Sequence, residues 1–422
     1  MLTQLPMYQR QGAAAFKKDL TNTHALLEEL DRPERKFKSI HVGGTNGKGT
    51  VSHLLASALM TAGHKVGLYT SPHYRDFRER IKIDGQLVDE DFVVDFVERI
   101  RPAIERIQPS FFEITVAMAF DAFARAGVDY AVVEVGLGGR LDSTNVLDPV
   151  LSVITNVSLD HTDMLGDTVE LIAVEKSKII KPGRPVVIGE YDERTFPVFK
   201  AEAAAQGSPL LLAKDEFRAM PIGRTADGAT VFELARTFAD QVMTHAQLIG
   251  TRLSGPFLNL NLRTAYAALH QLPEVRDISY QSAWSNLDAV NYLGRWQFIG
   301  ESPRVLVDSA HNPGGLQPVL EQLVKLTDAP EQLHIVLGVV NDKDLNAALP
   351  LFPAGARYYF CKADIPRGLP AEELQRAAAG FGLKGACYES VAEALEAAKS
   401  AADPEKGLVF VGGSIFTVAE VV

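Results

Sequence analysis

The sequence predicts an α/β protein of two domains, and three observations carry that prediction. Short runs rich in Val, Ile and Leu alternate with amphipathic stretches, the pattern of a mainly parallel sheet with helices on both faces. A glycine-rich turn joins one of these runs to a long helical segment. At 422 residues, the chain is longer than a single core usually fills.

The elements follow in chain order. The first 35 residues read as helical and end in the charged stretch Asp31-Arg-Pro-Glu-Arg-Lys36. Ser39-Ile-His-Val42 reads as a strand and residues 50–62 as a helix. Tyr130-Ala-Val-Val-Glu-Val135, Val150-Leu-Ser-Val-Ile-Thr155 and Pro185-Val-Val-Ile188 read as buried strands. Asp167-Thr-Val-Glu170 has capping-box spacing and opens a helix through about residue 180. Residues 215–255 break the rhythm: shorter alternating segments and turns such as Ala226-Asp-Gly228 predict a small antiparallel addition. The α/β rhythm returns with Val305-Leu-Val307, Leu333-His-Ile-Val-Leu337, Tyr358-Tyr-Phe360 and Leu408-Val-Phe-Val411, which predicts a second, smaller open α/β sheet of Rossmann-like type. The boundary is placed near Asn291-Tyr-Leu-Gly294, giving domains 1–293 and 294–422.

Composition removes several function classes. The hydrophobic fraction of 46% and charged fraction of 23% are those of a globular protein. A net charge of -11 argues against a broad nucleic-acid footprint, though not against a small anion held locally by backbone N–H groups. Two widely spaced cysteines, Cys361 and Cys387, form neither a disulfide framework nor a zinc pattern, which suits a reducing compartment. The N-terminal stretch has early polar and charged residues and no continuous apolar signal core, and the longest uncharged run, residues 49–64, is too short to span a bilayer. A cytoplasmic protein without membrane or nucleic-acid partners is the expectation.

The sharpest motif is Gly43-Gly-Thr-Asn-Gly-Lys-Gly-Thr50, set between strand and helix. Glycines allow the tight turn that points N–H groups at phosphate oxygens, and the helix dipole adds to the attraction. Lys48 reaches the terminal phosphates and Thr50 supplies a hydroxyl near the metal. The common pattern has Ser or Thr directly after the Lys; here Gly49 intervenes and the loop is shorter. The plain alternative is a glycine turn with no ligand.

His41-Val-Gly-Gly-Thr-Asn-Gly-Lys-Gly-Thr50 resembles the phosphate loop of the folylpolyglutamate synthase/dihydrofolate synthase family, part of the Mur ligase superfamily. Further matches follow in order: Tyr69-Thr-Ser-Pro-His73, Glu79-Arg-Ile81, Phe111-Phe-Glu-Ile-Thr115, Glu134-Val-Gly-Leu-Gly-Gly-Arg-Leu-Asp-Ser-Thr-Asn145, Leu159-Asp-His161, Glu175-Lys176, Gly294-Arg295, Asp308-Ser-Ala-His-Asn-Pro313 and Gly412-Gly-Ser414. They cover nearly the whole chain. One departure stands at Phe257-Leu258, where the family has a polar pair such as His-Gln; Asn261 still matches a nucleotide-contacting Asn.

The resemblance implies a Mur-ligase-like N-terminal domain and a C-terminal glutamate ligase domain. It implies an ATP-dependent ligase that adds L-glutamate to a folate or dihydropteroate carboxylate through an acyl phosphate, working as a monomer with two Mg²⁺ ions. The ATP-binding set it implies is Thr45, Asn46, Gly47, Lys48, Gly49, Thr50 and Asn261, with Arg295, Asp308 and His311 from the second domain. The metal set is Ser71, Glu134, His161 and Lys176, the last as a carbamate. Lys48, Glu134, His161, Lys176 and Arg295 are the catalytic candidates. Ser110, Phe111, Phe112, Glu113, Leu141, Asp142 and Ser143 are expected at the pterin site, with Arg80 toward the substrate's acidic end.

Each has a simpler structural alternative. Glu134 interrupts an apolar run, and a core carboxylate paired with an arginine would explain it. A buried carboxylate is costly unless compensated, which favours the metal. Imidazole is not a favoured magnesium ligand, so His161 could simply cap a loop. Lys176 on a helix could be solvated, Asp142 a turn residue, Arg80 a surface arginine, and Asp308-Ser-Ala-His311 a strand-end turn. Two rival functions remain: a Mur-type ligase for a non-folate acid, and a nucleotide switch. The second needs an Asn-Lys-x-Asp guanine motif, which Asn341-Asp-Lys-Asp344 offers only out of register.

Overall fold

Alternate residues of a strand point to opposite faces, so a strand that is apolar throughout needs cover on both sides. The structure, a computed structural model, describes residues 19–422 apart from 239–240, 243–245, 276–277, 288–289 and 291. Its largest sheet comprises β1 (Lys38–Gly43), β2 (Val66–Tyr69), β3 (Ile81–Ile83), β4 (Gln86–Leu87), β5 (Tyr130–Glu134), β6 (Leu151–Ile154), β7 (Val186–Ile188) and β8 (Leu210–Leu212), in the order β4-β3-β2-β5-β1-β6-β7-β8. β2, β5, β1, β6, β7 and β8 are parallel, and β3 and β4 add an antiparallel edge.

Ile40, Val42, Val132 and Val153 pack on one face against Val51, Leu54 and Leu55 of the helix Lys48–Thr61 and Leu262 and Ala265 of the helix Leu258–Leu269. Ala131 and Val133 pack on the other against Phe120 and Phe123 of the helix Phe111–Ala126 and Phe96 and Ile100 of the helix Glu90–Ile107. Each fully buried Val, Leu or Phe contributes about 1.5–3 kcal/mol. Trp284, the largest side chain in the first layer, satisfies its indole by donating to Leu54 O at 2.9 Å. The expected antiparallel addition is a four-stranded sheet of β9 (Phe217–Arg224), β10 (Thr230–Phe238), β11 (Gln241–Val242) and β12 (Gln247–Thr251), and the turn at Ala226-Asp-Gly228 joins its first two strands.

Local signals set most helix ends. Ser110 and Glu113 form a reciprocal capping box, and Gly127 ends that helix at φ 62°. The next start differs from expectation. Asp167 is not the cap; Thr168 is, accepting from Leu171 N at 3.3 Å, and the helix runs Val169–Ser177, short of residue 180. Thr168 is extended at φ -123° and ψ 153°, so the first helical residue comes one position later than the spacing suggested. Of the N-terminal 35 residues, Thr21–Glu29 is α-helical and Pro33–Arg35 is 3₁₀; residues 1–18 lie outside the described residues.

The chain divides into two units. One holds the described residues up to Leu253 with Phe257–Tyr292, and the other holds Ser254–Pro256 with Leu293–Val422. Asn291, where the expected boundary begins, lies outside the described residues. The second unit has a six-stranded sheet of β13 (Gln297–Glu301), β14 (Arg304–Val307), β15 (Leu333–Leu337), β16 (Arg357–Phe360), β17 (Gly385–Cys387) and β18 (Leu408–Gly412), ordered β13-β14-β18-β15-β16-β17. All pairs are parallel except β13 with β14. Among the described residues no helix is long and apolar enough to cross a membrane.

One glycine tests the packing between strand and helix. A Cβ at Gly67 in β2 would lie 2.5 Å from Phe123 Cδ1, inside the core. Gly67→Ala should cost about 1–3 kcal/mol of stability through overpacking, read from the midpoint of urea unfolding. An unchanged midpoint would show that Phe123 yields freely.

Candidate nucleotide and ligation site

Parallel strands bring the segments after their carboxyl ends to one edge of the sheet, where open α/β sheets bind ligands. In the first unit that edge collects the loop after β1, Ser71 after β2, residues 135–145 after β5 and residues 155–161 after β6.

The loop between β1 and the helix Lys48–Thr61 has its carbonyls tied back. Lys176 Nζ donates to Gly44 O at 2.9 Å, and Lys48 Nζ to Thr45 O at 3.0 Å. Asn46 O accepts from Thr155 Oγ1 at 2.6 Å and Asn156 Nδ2 at 2.9 Å. Gly47 O accepts from Val51 N and Gly49 O pairs with His53 Nδ1 at 2.7 Å. Thr45 N is anchored on Asn156 O and Asn46 N on Asn156 Oδ1. Gly47 stands at φ 79° against Asn261 Oδ1, and a Cβ there would collide with the amide. Asn261 therefore lies directly on the loop. Leu258, one helical turn earlier, is core.

Glu134 ends β5 on the same sheet face as Tyr130 and Val132, toward the helix that starts at Lys48. Both of its carboxylate oxygens lie 3.7 Å from where a Gly49 Cβ would be. The Gly at 49, unlike a larger residue, leaves space beside this carboxylate. Oε2 accepts from Ser71 N at 3.0 Å, so the two expected metal ligands are adjacent. Among the described residues no three His, Cys, Asp or Glu side chains cluster as a ready-made cation cage. Mg²⁺ needs only one or two protein oxygens, completing its shell with water and phosphate, and the Glu134 carboxylate supplies that kind of donor.

Lys176 is not solvated. It is buried, and burial, then the charge of Lys48, lowers its pKa to about 7, opposed by Asp160 and Asp142. Half-neutral near pH 7, it is the kind of amine that can take up CO₂. Gly139 lets its helix come close: a Cβ there would lie 2.6 Å from Glu175 O and 3.1 Å from Lys176 Cα. Arg140 fastens the same helix through two bonds to Glu175 Oε1, at 3.0 and 2.9 Å. His161, at φ 50°, begins the short helix Thr162–Leu165, with Nε2 at 3.8 Å from Asp160 Oδ2.

The residues expected at the acceptor divide by role. Arg80 is buried rather than at the surface. Its Nε donates to His73 Nδ1 at 2.8 Å and its guanidinium lies 5.6 Å from the Phe111 ring centroid; burial, above all, lowers its pKa. Phe77 meets Phe111 edge-on at 5.8 Å, and Phe112 lies 6.4 Å from the Tyr69 ring. Asp142 organises its own loop, accepting from Leu137 N at 2.8 Å, Thr144 N at 2.9 Å and Thr144 Oγ1 at 2.5 Å. Burial pushes its carboxyl up, against those bonds. Ser110 and Glu113 are engaged in their capping box, Ser143 is buried in the following 3₁₀ turn, and Leu141 is half-exposed.

In the second unit Asp308, at the end of β14, accepts from Trp296 N and Ala310 N, both at 2.8 Å, and burial raises its pKa while Arg295 opposes the shift. These bonds hold Trp296 at φ 43°, a left-handed conformation unusual for so bulky a residue. Arg295 beside it is exposed, and His311 Nδ1 lies 3.0 Å from Ser309 O. Asn341-Asp-Lys-Asp344 is turn and cap: Asp342 pairs with Arg367, and Asp344 caps the helix Leu345–Ala348.

The Mur ligase middle domain family matches residues 42–269, and the Mur ligase glutamate ligase domain family matches residues 294–415. The folylpolyglutamate synthase of Lacticaseibacillus casei is 34% identical over 385 residues, covering 88% of this chain and 87% of that one. The chain belongs to the folylpolyglutamate synthase/dihydrofolate synthase family. A probable bifunctional folylpolyglutamate synthase/dihydropteroate synthase of Haloferax volcanii is 36% identical over 94% of this chain, which spans about half, 47%, of that relative's length. The structure of E. coli FolC in complex with DHPP and ADP superposes with a TM-score of 0.84 at 30% identity, covering 97% of this chain and 93% of that one. The Yersinia pestis bifunctional folylpolyglutamate synthase/dihydrofolate synthase complexed with AMPPNP and Mn ion gives 0.83 at 28% identity, covering 100% and 95%.

Sequence reasoning missed several residues that shape this family member's site. Thr155, Asn156 and Ser158 brace the loop, and their position just after a parallel strand was an available signal. His53 follows the loop on its own helix, while Tyr292, which bonds Thr50, and Lys82, which bonds His53, are too distant along the chain to have given a sign. Gly47 carries the site's prediction. Gly47→Ala should stay folded yet bind ADP at least about tenfold more weakly, because a side chain at positive φ must displace Asn261. Isothermal calorimetry with ADP and Mg²⁺ reads this directly, and wild-type affinity would detach Gly47 from the nucleotide.

Proposed function

We propose that this chain is an ATP-dependent ligase that joins L-glutamate to the carboxylate of a folate-type acceptor, dihydropteroate or a reduced folate, and that it acts in the cytoplasm. The observation that carries the reading is the phosphate loop with every carbonyl noted above tied back, beside a buried carboxylate and two lysines. The acceptor carboxylate takes the terminal phosphoryl group of ATP, releasing ADP. The amine of glutamate then attacks the acyl carbon, phosphate leaves and the nitrogen loses a proton. The first half-reaction makes a good leaving group; both halves need the reactants held in line.

The residues divide these tasks. Thr45, Asn46, Gly47, Lys48, Gly49 and Thr50 hold the phosphates, with Asn261 at the loop and Arg295, Asp308 and His311 contributing to the nucleotide from residues 294–422, the proposed glutamate ligase domain. Lys48 neutralises charge that builds on the transferring group. Glu134 and Ser71 would hold Mg²⁺, and His161 with Lys176 as its carbamate would serve a second ion. A metal held there would supply positive charge to screen the phosphates. Carbamylation joins the neutral amine of Lys176 to CO₂ with loss of a proton, converting a cation that repels metal into an oxygen ligand. The aromatic rings of Phe77, Phe111 and Phe112 suit a flat heteroaromatic acceptor, with Leu141, Asp142, Ser143, Ser110 and Glu113 shaping the loops and Arg80 supplying the buried positive charge.

Incorporation of labelled glutamate with ATP and each acceptor in turn tests the function. Turnover with dihydropteroate, tetrahydrofolate or both is the expected result; turnover only with a non-folate acid would overturn the folate reading. Lys48→Ala should abolish incorporation while unfolding normally, and near-normal turnover would reject the phosphate-loop assignment.

Lys176→Ala should lose most activity and regain part of it with a short carboxylic acid added. The same reading fixes the sign of a pH effect. With a pKa of about 7, the amine is mostly protonated below that pH and neutral above it, so bicarbonate should stimulate dialysed enzyme more at pH 8 than at pH 6. Full activity in Lys176→Ala without the acid would return Lys176 to a packing role.

A further inference from the structure

Behind the phosphate loop lies a polar cluster that the ligase chemistry above does not use. Lys82 is on β3, opposite Leu68 of β2, and is 2% exposed. Its Nζ lies 3.1 Å from His53 Nε2 and donates to Val290 O at 3.0 Å. The other ring nitrogen of His53, Nδ1, lies 2.7 Å from Gly49 O. The His53 ring meets Tyr292 edge-on at 5.3 Å, and the Tyr292 hydroxyl lies 2.8 Å from Thr50 Oγ1. His53, on the loop's own helix, and Tyr292 thus meet Gly49 and Thr50 directly, and Lys82 from β3 stands behind His53.

Burying an ammonium is unfavourable unless its hydrogen bonds are met. Burial lowers the Lys82 pKa to about 8, opposed by the charges of Glu79 and Glu134. What the buried group orders is visible in the bonds. A lysine can only donate, so His53 Nε2 must accept, and the proton of a neutral ring then sits on Nδ1, facing Gly49 O. Gly49 sits between Lys48 and Thr50 and against both oxygens of Glu134. A small shift of Gly49 would change the spacing of the ammonium, the hydroxyl and the carboxylate together.

We propose that Lys82 and His53 are positioning residues for the nucleotide: Lys82 sets the His53 tautomer, and the ring then holds Gly49 O so that Lys48, Thr50 and Glu134 keep the spacing that a Mg²⁺-bound phosphate chain requires. This rests on the reading of the loop as the ATP site. Neither residue touches substrate; both act through the backbone of the loop's exit.

The test uses the full-length protein, with ADP and Mg²⁺ as the probe in calorimetry and glutamate incorporation as the kinetic readout. Lys82→Met and His53→Phe keep bulk and remove the bonds. His53→Asn keeps a donor at the position of Nδ1. The first two should bind ADP about tenfold more weakly and lose kcat or raise the KM for ATP, with the acceptor KM unchanged. His53→Asn should stay within about threefold of wild type, a rescue that simple packing loss would not give. Wild-type ADP affinity and kinetics in Lys82→Met and His53→Phe would overturn the proposal, as would equal losses in His53→Asn and His53→Phe. Should Lys82→Met fail to fold, the two His53 variants decide alone. Wild-type protein that bound no ADP would instead overturn the ATP-site reading itself, so the two failures are distinguishable.

Discussion

A loop that receives a polyanion must keep its carbonyl oxygens away from the ligand. That constraint governs the first unit. Between Gly44 and Gly49 the carbonyls are held by Lys176, Lys48, Thr155 with Asn156, Val51 and His53. The donors come from three separate places in the chain, the loop's own helix, the segment after β6 and the helix Val169–Ser177, and Lys82 of β3 backs one of them, His53. Only a sheet that delivers β1, β3 and β6 with their covering helices in fixed register can supply them together. The core is therefore a condition of the site as well as of stability.

Glycine is where that arrangement meets its steric limit. Gly44 would clash with Thr155, Gly47 with Asn261, and Gly139 with the backbone at Glu175. Each is a contact closer than any Cβ permits, and each joins the loop edge to a different packing element. Gly49 differs, since a Cβ there would meet the Glu134 oxygens only at 3.7 Å. Its lack of a side chain leaves room beside the carboxylate rather than relieving a clash. This gives a physical reason for a lysine followed by glycine, with the hydroxyl moved one residue on to Thr50.

Features that depend on nearest neighbours were legible in the sequence. The buried strands, the antiparallel insertion, the phosphate loop and the second α/β sheet all follow from apolar runs and turn residues, and their ends fall within a residue or two of expectation. The edge strands were not legible. β13 carries Gln297 and Glu301 around Phe298, a half-exposed pattern too short to stand out, and β3–β4 is a five-residue stub plus turn. At the site, the charged residues were visible as motifs while their environments were not. From the sequence alone a solvated Lys176 and a surface Arg80 stood as alternatives; both are buried, Lys176 by the approach that Gly139 allows and Arg80 under Phe111. Burial is a property of tertiary packing, so the pKa of about 7 at Lys176 could not be read from its neighbours in sequence.

The departure at Phe257-Leu258 shows the same separation between helix face and contact. Leu258, Asn261, Leu262 and Ala265 recur at spacings of three and four residues, so they share one face of the helix Leu258–Leu269. Leu258 and Leu262 join the core with Val51 and Leu54, and between them Asn261 meets Gly47. An apolar side chain at 258 strengthens the seat of this helix without occupying the position of Asn261. The amide's placement depends on how firmly the helix is seated, because Asn261 reaches the loop across a contact with no room for a Cβ. Core packing at 258 and 262 therefore helps to fix the geometry at 261, where the Asn261 amide meets Gly47.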